Sequence, residues 1–261
     1  MKTKHGFNLI PSPHDERDFN IDSLYKTKLE LPNVLDYRSD LNPVRNQGSQ
    51  DSCAAMTAAV MKEWQEHKEL GFEKYMSPQF VYNLRPNKSN TEMTARDAMG
   101  ILKKKGILPE TIYPYGTTKK ITDRLLDAAG NFKIQAYGKI DTLFTAKTNL
   151  LTNGPLFVGF PVYNEHNGEF WKQTHHNQEL LGGHAVAIVG WLENAFIIRN
   201  SWGKNWGDGG YSYYPFDDWG VHWEVWGTID DESCDEKLEE ILNNVKDYKP
   251  KGCLTKIFGI F

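Results

Sequence analysis

The run 44-VRNQGSQDSCAAMTAAV-60 sets a cysteine where a polar, glycine-bearing stretch meets an alanine-rich one. At a helix start, the unpaired N–H groups of the first turn favour a thiolate, so Cys53 is a candidate nucleophile. A free thiol of ordinary pKa ~8.5 stays mostly protonated at neutral pH and needs a base. His184, opening the apolar run 182-GGHAVAIVGW-191, is the candidate base, and the thiol–imidazole pair would pass to thiolate–imidazolium. Asn200, closing 195-AFIIRN-200, could orient that ring without adding charge, and Trp202 could shield the His–Asn contact from water. Gln47, six residues before Cys53, could donate its side-chain N–H to an oxyanion beside the Cys53 N–H. Gly183, with Gly182, allows close backbone approach next to the imidazole. Taken alone, a buried structural cysteine is an equally good reading of Cys53.

These groups need elements to hold them. From Cys53 to about Leu70 the pattern is helical, with 62-KEWQEHKE-69 expected as its wet face and Gly71 as its stop. Ser77-Pro78 is an N-cap followed by a first-turn proline, and 94-TARDAMGILKKKG-106 carries a third helical pattern. Past the midpoint, 155-PLFVGFPVY-163, 184-HAVAIVGW-191, 195-AFIIRN-200 and 210-GYSYYPF-216 read as antiparallel strands separated by glycines. Residues 234–249 form one amphipathic helical pattern, and 257-IFGIF-261 reads as a docking strand or frayed end. The expectation is an α+β chain with a cleft between two lobes. The segments are an arm at 1–30, a mainly helical lobe at 31–135 with the nucleophile, a β-rich lobe at 136–229 with His184 and Asn200, and a helical extension at 230–261.

In this order and spacing the residues resemble the papain-like cysteine peptidases, the group that includes cathepsins. Gln47, Cys53, His184 and 200-NSWG-203 match four blocks of that family in family order, and His184 and Asn200 follow Cys53 by 131 and 147 residues. That spacing agrees with the family's ~130–150 residues. Less specific matches are 106-GILPETIYPY-115 and 154-GPLFVGFPVY-163, and the likeness covers roughly residues 31–229. The resemblance implies a two-lobed papain-like fold. It also implies an endopeptidase that forms a thioester with Cys53, uses His184 as base and acid, orients it with Asn200, and stabilises the oxyanion with Gln47. Three departures stand beside the nucleophile. Gln50 replaces a cysteine that would form a disulfide, Asp51 replaces a glycine and its charge could raise the thiol pKa, and Ala54 replaces a tryptophan. The family's long helical pro-region is replaced by about 30 residues, which are expected to wrap the body and to lie in or near the cleft. A permanent arm needed for folding is the alternative. An acyltransferase that passes the same thioester to an amine, and a silent papain-fold binding protein, are the rival functions.

Composition bounds the rest. With 8 Trp, 12 Tyr and 13 Phe the chain is globular, and a net charge of −4 gives no reason to expect nucleic-acid or membrane binding. The partner expected is a protein or peptide substrate, with oligomeric state left open and no cofactor specified. No apolar run approaches a bilayer span, and the N-terminus has no apolar signal core, so an intracellular or cytoplasmic setting is the default, with particle packaging or leaderless export left open. Three cysteines make no disulfide scaffold, although Cys234 and Cys253 could pair. His175-His176 reads as a solvated loop rather than a metal site, His222 as a partly buried, satisfied side chain, and 102-LKKKG-106 as surface. Phe216 and Trp219 are candidates for lining the pocket of the substrate's second residue, with core packing as the alternative.

Overall fold

The computed structural model describes residues 5–25, 29–165 and 168–230. The expected helix at 234–249, the 257–261 tail and Cys234 and Cys253 lie outside these residues.

Helix α1 spans Cys53–Leu70 and ends at Gly71, whose φ of 62° takes the left-handed turn that closes its last carbonyls. Helix α2 (Pro78–Asn83) starts where Ser77 Oγ accepts the Phe80 N–H at 3.1 Å, with proline in the first turn. Helix α3 (Ala95–Lys104) opens on a capping box. Thr94 Oγ1 accepts from the Asp97 N–H at 3.0 Å, and Asp97 Oδ2 accepts from the Thr94 N–H at 3.2 Å. Helices α4 (Asp123–Ala129) and α5 (Leu143–Asn153) are each capped by a threonine, Thr122 and Thr142.

The strands are β1 (Leu35–Asp36), β2 (Ile134–Lys139), β3 (Leu156–Val162), β4 (Gly182–Trp191), β5 (Ala195–Arg199), β6 (Tyr211–Pro215) and β7 (Glu224–Asp230). They form one antiparallel sheet in the order β2-β7-β3-β4-β5-β6, with β1 paired to β4. Its core is aromatic, with Phe160 stacked on Trp171 at 4.8 Å and edge-on to Tyr214 at 4.9 Å. The α+β architecture therefore matches expectation.

Helix α1 runs between the helices and the sheet, packing on α2 and α3 on one side and on β3 and β4 on the other. This corrects the first part of the expected wet face at 62–69: Lys62, Glu63, Trp64, Gln65 and Glu66 are all buried, while Lys68 and Glu69 are exposed. The charges are tolerated because they are paired inside. Lys62 meets Glu66 at 2.6 Å and Asp230 at 2.5 Å, and Glu63 meets Arg45 at 2.7 Å. Only the last turn of the helix reaches solvent.

Sheet register explains the meeting of His184 and Asn200. Strands β4 and β5 are antiparallel with Ala187 opposite Arg199, so the start of β4 and the residue following β5 fall at one sheet end. Helix α1 begins against that end, and Ala185 packs in the same cluster as Cys53 and Ala54.

Candidate active site

Two bonds fix the proton on His184. Asn200 Oδ1 accepts the Ser201 backbone N–H at 2.7 Å, which identifies that atom as the oxygen. His184 Nε2, 2.8 Å from the same oxygen, must then carry the ring proton and donate it. Nδ1 is left with its lone pair, buried and without a hydrogen-bond partner. It is the atom able to take a proton from a thiol. The Trp202 ring stacks on the imidazole at 4.3 Å and 24°, so it lies where a shield over the His–Asn bond would have to be. Burial pushes the imidazole pKa down to about 3, against a smaller upward effect of Asn200; the His5 charge adds to the fall.

Cys53 is the first residue of α1 and is buried to 1% exposure. Burial raises its thiol pKa. The backbone N–H groups of Ala185, Asn8 and Ala54 act the other way without overcoming it. The expected repulsion from Asp51 is present as the smallest contribution.

Gln47 is also buried. Its Nε2 donates to two carbonyls, Gly6 O and Gln50 O, both at 2.7 Å. Its Oε1 accepts from Ser201 Oγ at 2.6 Å. The amide therefore points an N–H at a carbonyl oxygen in the cleft, and that carbonyl belongs to the N-terminal arm.

The arm crosses the site from His5 to Ser12. His5 stacks on Trp202 at 5.0 Å, and the Gly6 N–H donates to Gly48 O at 3.0 Å. The Leu9 N–H donates to Gly183 O at 2.9 Å, and Leu9 pairs with Met93 as an isolated parallel bridge. One strand residue thus touches the sheet lobe and the helical lobe together. Gly183 must be glycine here, because a Cβ would collide with the Trp223 ring and the Leu9 carbonyl. The Leu9 side chain is 2% exposed and lies against Gly159. Beyond it, the Ser12 N–H donates to Glu224 Oε1 at 3.2 Å, and Asp18 pairs with Arg96 at 2.5 Å and Lys139 at 3.2 Å.

The remaining candidates fall elsewhere. Phe216 and Trp219, both half-buried, pack on Phe196 at 5.1 and 5.6 Å, and Trp219 donates its indole N–H to Asp141 O, so both lie against the aromatic core of the sheet lobe. The arm places Phe7 and Leu9 as apolar side chains in the cleft. His175 and His176 are exposed, and no cluster of metal-ligating residues occurs among the described residues. His222 is half-buried against Tyr214 Oη at 2.8 Å. Lys103, Lys104 and Lys105 are exposed. Sequence reasoning passed over Ser201, Tyr115, Arg45 and Glu63. Ser201 and Tyr115 sit inside blocks already singled out, 200-NSWG-203 and the segment ending at 115, and are ordinary polar residues until Gln47 is placed between them.

A family model described as papain family cysteine protease matches residues 31–220. Cysteine proteinase 3 of Entamoeba histolytica is 28% identical over 197 residues, 69% of this chain and 61% of that protein. The chain therefore spans about three fifths of that relative's length. An uncharacterized peptidase C1-like protein of Acanthamoeba polyphaga mimivirus is 29% identical over 256 residues, 81% of each chain. Among solved structures, xylellain, a cysteine protease from Xylella fastidiosa, superposes with a TM-score of 0.76 at 28% identity, over 88% of this chain and 98% of that one. The digestive procathepsin L2 proteinase of Tenebrio molitor shares the fold, with a TM-score of 0.65 at 22% identity over 87% and 78% of the two chains.

Proposed function

The chain belongs to the papain family of cysteine proteases, and from that premise we propose that it is a cysteine endopeptidase held latent by its own N-terminal arm. The observation that carries this reading is the Gly6 carbonyl accepting the Gln47 side-chain N–H at 2.7 Å, on an arm whose Leu9 N–H bonds Gly183 O at 2.9 Å beside His184. A carbonyl there occupies the position the scissile carbonyl of a substrate would take.

With the arm withdrawn, water reaches the cleft and the imidazole pKa recovers toward its ordinary ~6.5. His184 Nδ1 takes the Cys53 proton. The sulfur attacks the substrate carbonyl carbon, forming the C–S bond, and the carbonyl π electrons pass to oxygen. Gln47 Nε2 and the Cys53 N–H hold that oxyanion. Collapse breaks the C–N bond, and the imidazolium returns its proton to the departing amine. Water, deprotonated by His184, then attacks the thioester and releases the acid and the thiol. Asn200 keeps the ring in its Nδ1-basic tautomer throughout.

Asp51 and Ala54 leave every reacting group in place, and they bear on rate and specificity. The expected substrate is an unstructured peptide segment, because the arm lies in the cleft as extended chain paired by backbone bonds to Gly183, Gly48 and Met93. The test is cleavage of a fluorogenic peptide library. Full-length protein should be slow, and a variant with a weakened arm should cleave internal bonds. Cys53→Ala in that variant should remove all cleavage with unchanged circular dichroism and melting temperature. Residual turnover in the alanine variant would overturn the assignment.

A further inference from the structure

Residues 71–133 carry eleven lysines and arginines against six aspartates and glutamates, in a chain whose net charge is −4, so positive charge is gathered in this part of the helical lobe. Much of it meets at one place. Arg85 and Lys88 follow helix α2, and Lys119 and Lys120 lie on the loop after Tyr115. The four border an open groove of about 630 Å³, with Asn83 and Gln50 also in its wall and no carboxylate among its lining residues.

These charges are not neutralised within the chain. Arg85 donates to Tyr82 O at 2.9 Å and to Asn90 O at 3.2 Å, both neutral acceptors, and its guanidinium lies 4.1 Å from the Tyr82 ring centre. Lys88 donates to Asn83 O, and Lys120 is exposed. None of the three pairs with a carboxylate among the described residues. The nearest acid along the chain, Glu92, accepts from Asn90 Nδ2 at 2.7 Å instead. Partial burial and the Arg85 charge both lower the Lys88 pKa, the mark of two cations held together with no anion between them. The facing wall is fixed. The Asn83 side-chain N–H donates to Tyr113 Oη at 2.8 Å, the Tyr113 hydroxyl donates to Lys119 O at 2.5 Å, and the Gly116 N–H donates to Gln79 Oε1 at 2.9 Å. The cations therefore stand on a preformed frame, and a ligand need not order it.

The chemistry of the groove selects among anions. Tyr113 is fully buried and Tyr82 is covered by Arg85, so no aromatic face is offered to a nucleic-acid base. The Gly116 and Lys119 N–H groups are spent on Gln79 and Thr117, so they form no cradle for a phosphate. Separate cations around an open groove match carboxylates spaced along a polypeptide. The groove also adjoins the cleft. Gln50, in its wall, takes a proton of the Gln47 amide on its carbonyl. Residues 84–93 stand between the two: Leu84 and Arg85 line the groove, and Met93 pairs with Leu9 in the cleft. We propose that this groove is an exosite for an acidic segment of a protein substrate, a segment lying beside the cleaved stretch rather than within it. The inference rests on the reading of the chain as an endopeptidase. Arg85, Lys88 and Lys120 hold carboxylates far from the reacting bond, so they raise occupancy of the cleft and the effect falls on KM.

The first measurement needs no turnover: fluorescence anisotropy of labelled octaglutamate mixed with the full-length chain at low salt. Octaglutamate should bind, and the double charge reversal Lys88→Glu with Lys120→Glu should weaken it about fivefold or more. Lys88→Arg with Lys120→Arg, which keeps the charges, should stay within about twofold of the parent. Binding unmoved by the reversal, or octalysine or an oligothymidylate binding as tightly as octaglutamate, would overturn the proposal. The second measurement is kinetic, in the chain carrying Leu9→Asp to loosen the arm. One cleavable peptide is joined through a flexible glycine-serine linker to a run of glutamates or of glutamines, at its start or at its end. At one end the glutamate run should lower KM about fivefold relative to glutamine with kcat within about twofold, and the double reversal should abolish the difference. Equal KM for the two runs at both ends would overturn the exosite. A parent that binds octaglutamate through these lysines but cleaves no peptide would overturn the endopeptidase reading and leave the groove's preference for acidic chain standing.

Discussion

Two irregular segments border Cys53, and they are held in different ways. Residues 43–52 carry Gln47 and are tied down by buried side chains. Arg45 reaches Glu63 on α1 at 2.7 Å and also pairs with Glu110, Arg199 holds Pro43 O at 3.0 Å, and Ser201 holds Gln47. Residues 5–18 lie along the cleft mainly through backbone bonds, three buried side chains at His5, Phe7 and Leu9, and a pair of cations on Asp18 near the surface. The first segment cannot leave without stranding charges in the interior. The second can peel away leaving backbone groups and the charges of Glu224, Arg96 and Lys139 at a surface where water reaches them. One is built as part of the machine, the other as an occupant of it.

The comparison breaks most sharply at Gln47. Gln47→Ala in an arm-loosened chain should cost about a hundredfold or more in kcat, the usual loss of an oxyanion donor, with the melting temperature nearly unchanged. Steady-state kinetics on a peptide substrate reads it, and a loss below fivefold would deny the segment its role. Next in size is Leu9→Asp, which asks a buried apolar site to accept a carboxylate and should raise the activity of the full-length chain at least tenfold. Unchanged activity would mean that the arm does not close the cleft in solution.

Glu63→Ala tests the anchoring of the fixed segment. It leaves the Arg45 and Arg199 charges facing a hole, and about 3–5 kcal/mol of stability should be lost in urea unfolding. Loss below 1 kcal/mol would mean the cluster anchors little.

Acid is the mildest lever. With the arm closed, the His184 pKa is pushed down to about 3, while in water it lies near 6.5. The open form therefore binds the extra proton between those values. Closure is fully favoured above about pH 6.5 and is weakened progressively as pH falls toward 3. Burial raises the Asp18 pKa, but Arg96 and Lys139 together hold it below the ordinary carboxylate value, so its hold is present above about pH 4 and fades below it. Opening of the arm in the full-length protein, read as amide hydrogen exchange of residues 5–12, should climb severalfold from pH 7 to 5, and Asp18→Asn should raise it across that range, while the added imidazole proton keeps the acid-opened form from turning over. A profile flat over that range would sink the linkage.

Much of the site was legible because its chemistry demands rare types at particular places. A cysteine at a helix start, a histidine at a strand start and an asparagine at a strand end need few neighbours to be noticed. The helices at 53–70 and 78–83 carry their own stop and cap signals, Gly71 and Ser77-Pro78. The strands β2 and β7 were not, since 134-IQAYGK-139 and 224-EVWGTID-230 mix charge, glycine and aromatics without clean alternation, and pairing with each other makes them strands. The buried charges of α1 were unreadable for a related reason: 62-KEWQE-66 has the composition of a wet face, and what buries it comes from residues as distant as Arg45 and Asp230. Phe216 and Trp219 had two readings for a simpler reason, since large aromatics beside a predicted cleft fit its wall and the core equally well.

The most direct measurement is the rate at which a vinyl-sulfone probe alkylates Cys53, followed by peptide mapping in the full-length chain, in Leu9→Asp, and in Leu9→Asp with His184→Ala. Slow labelling in the first, labelling at least tenfold faster in the second, and return to a slow rate in the third is the result expected of an imidazole-activated thiol under a removable arm. Equal rates in all three would contradict both the pairing of Cys53 with His184 and its occlusion.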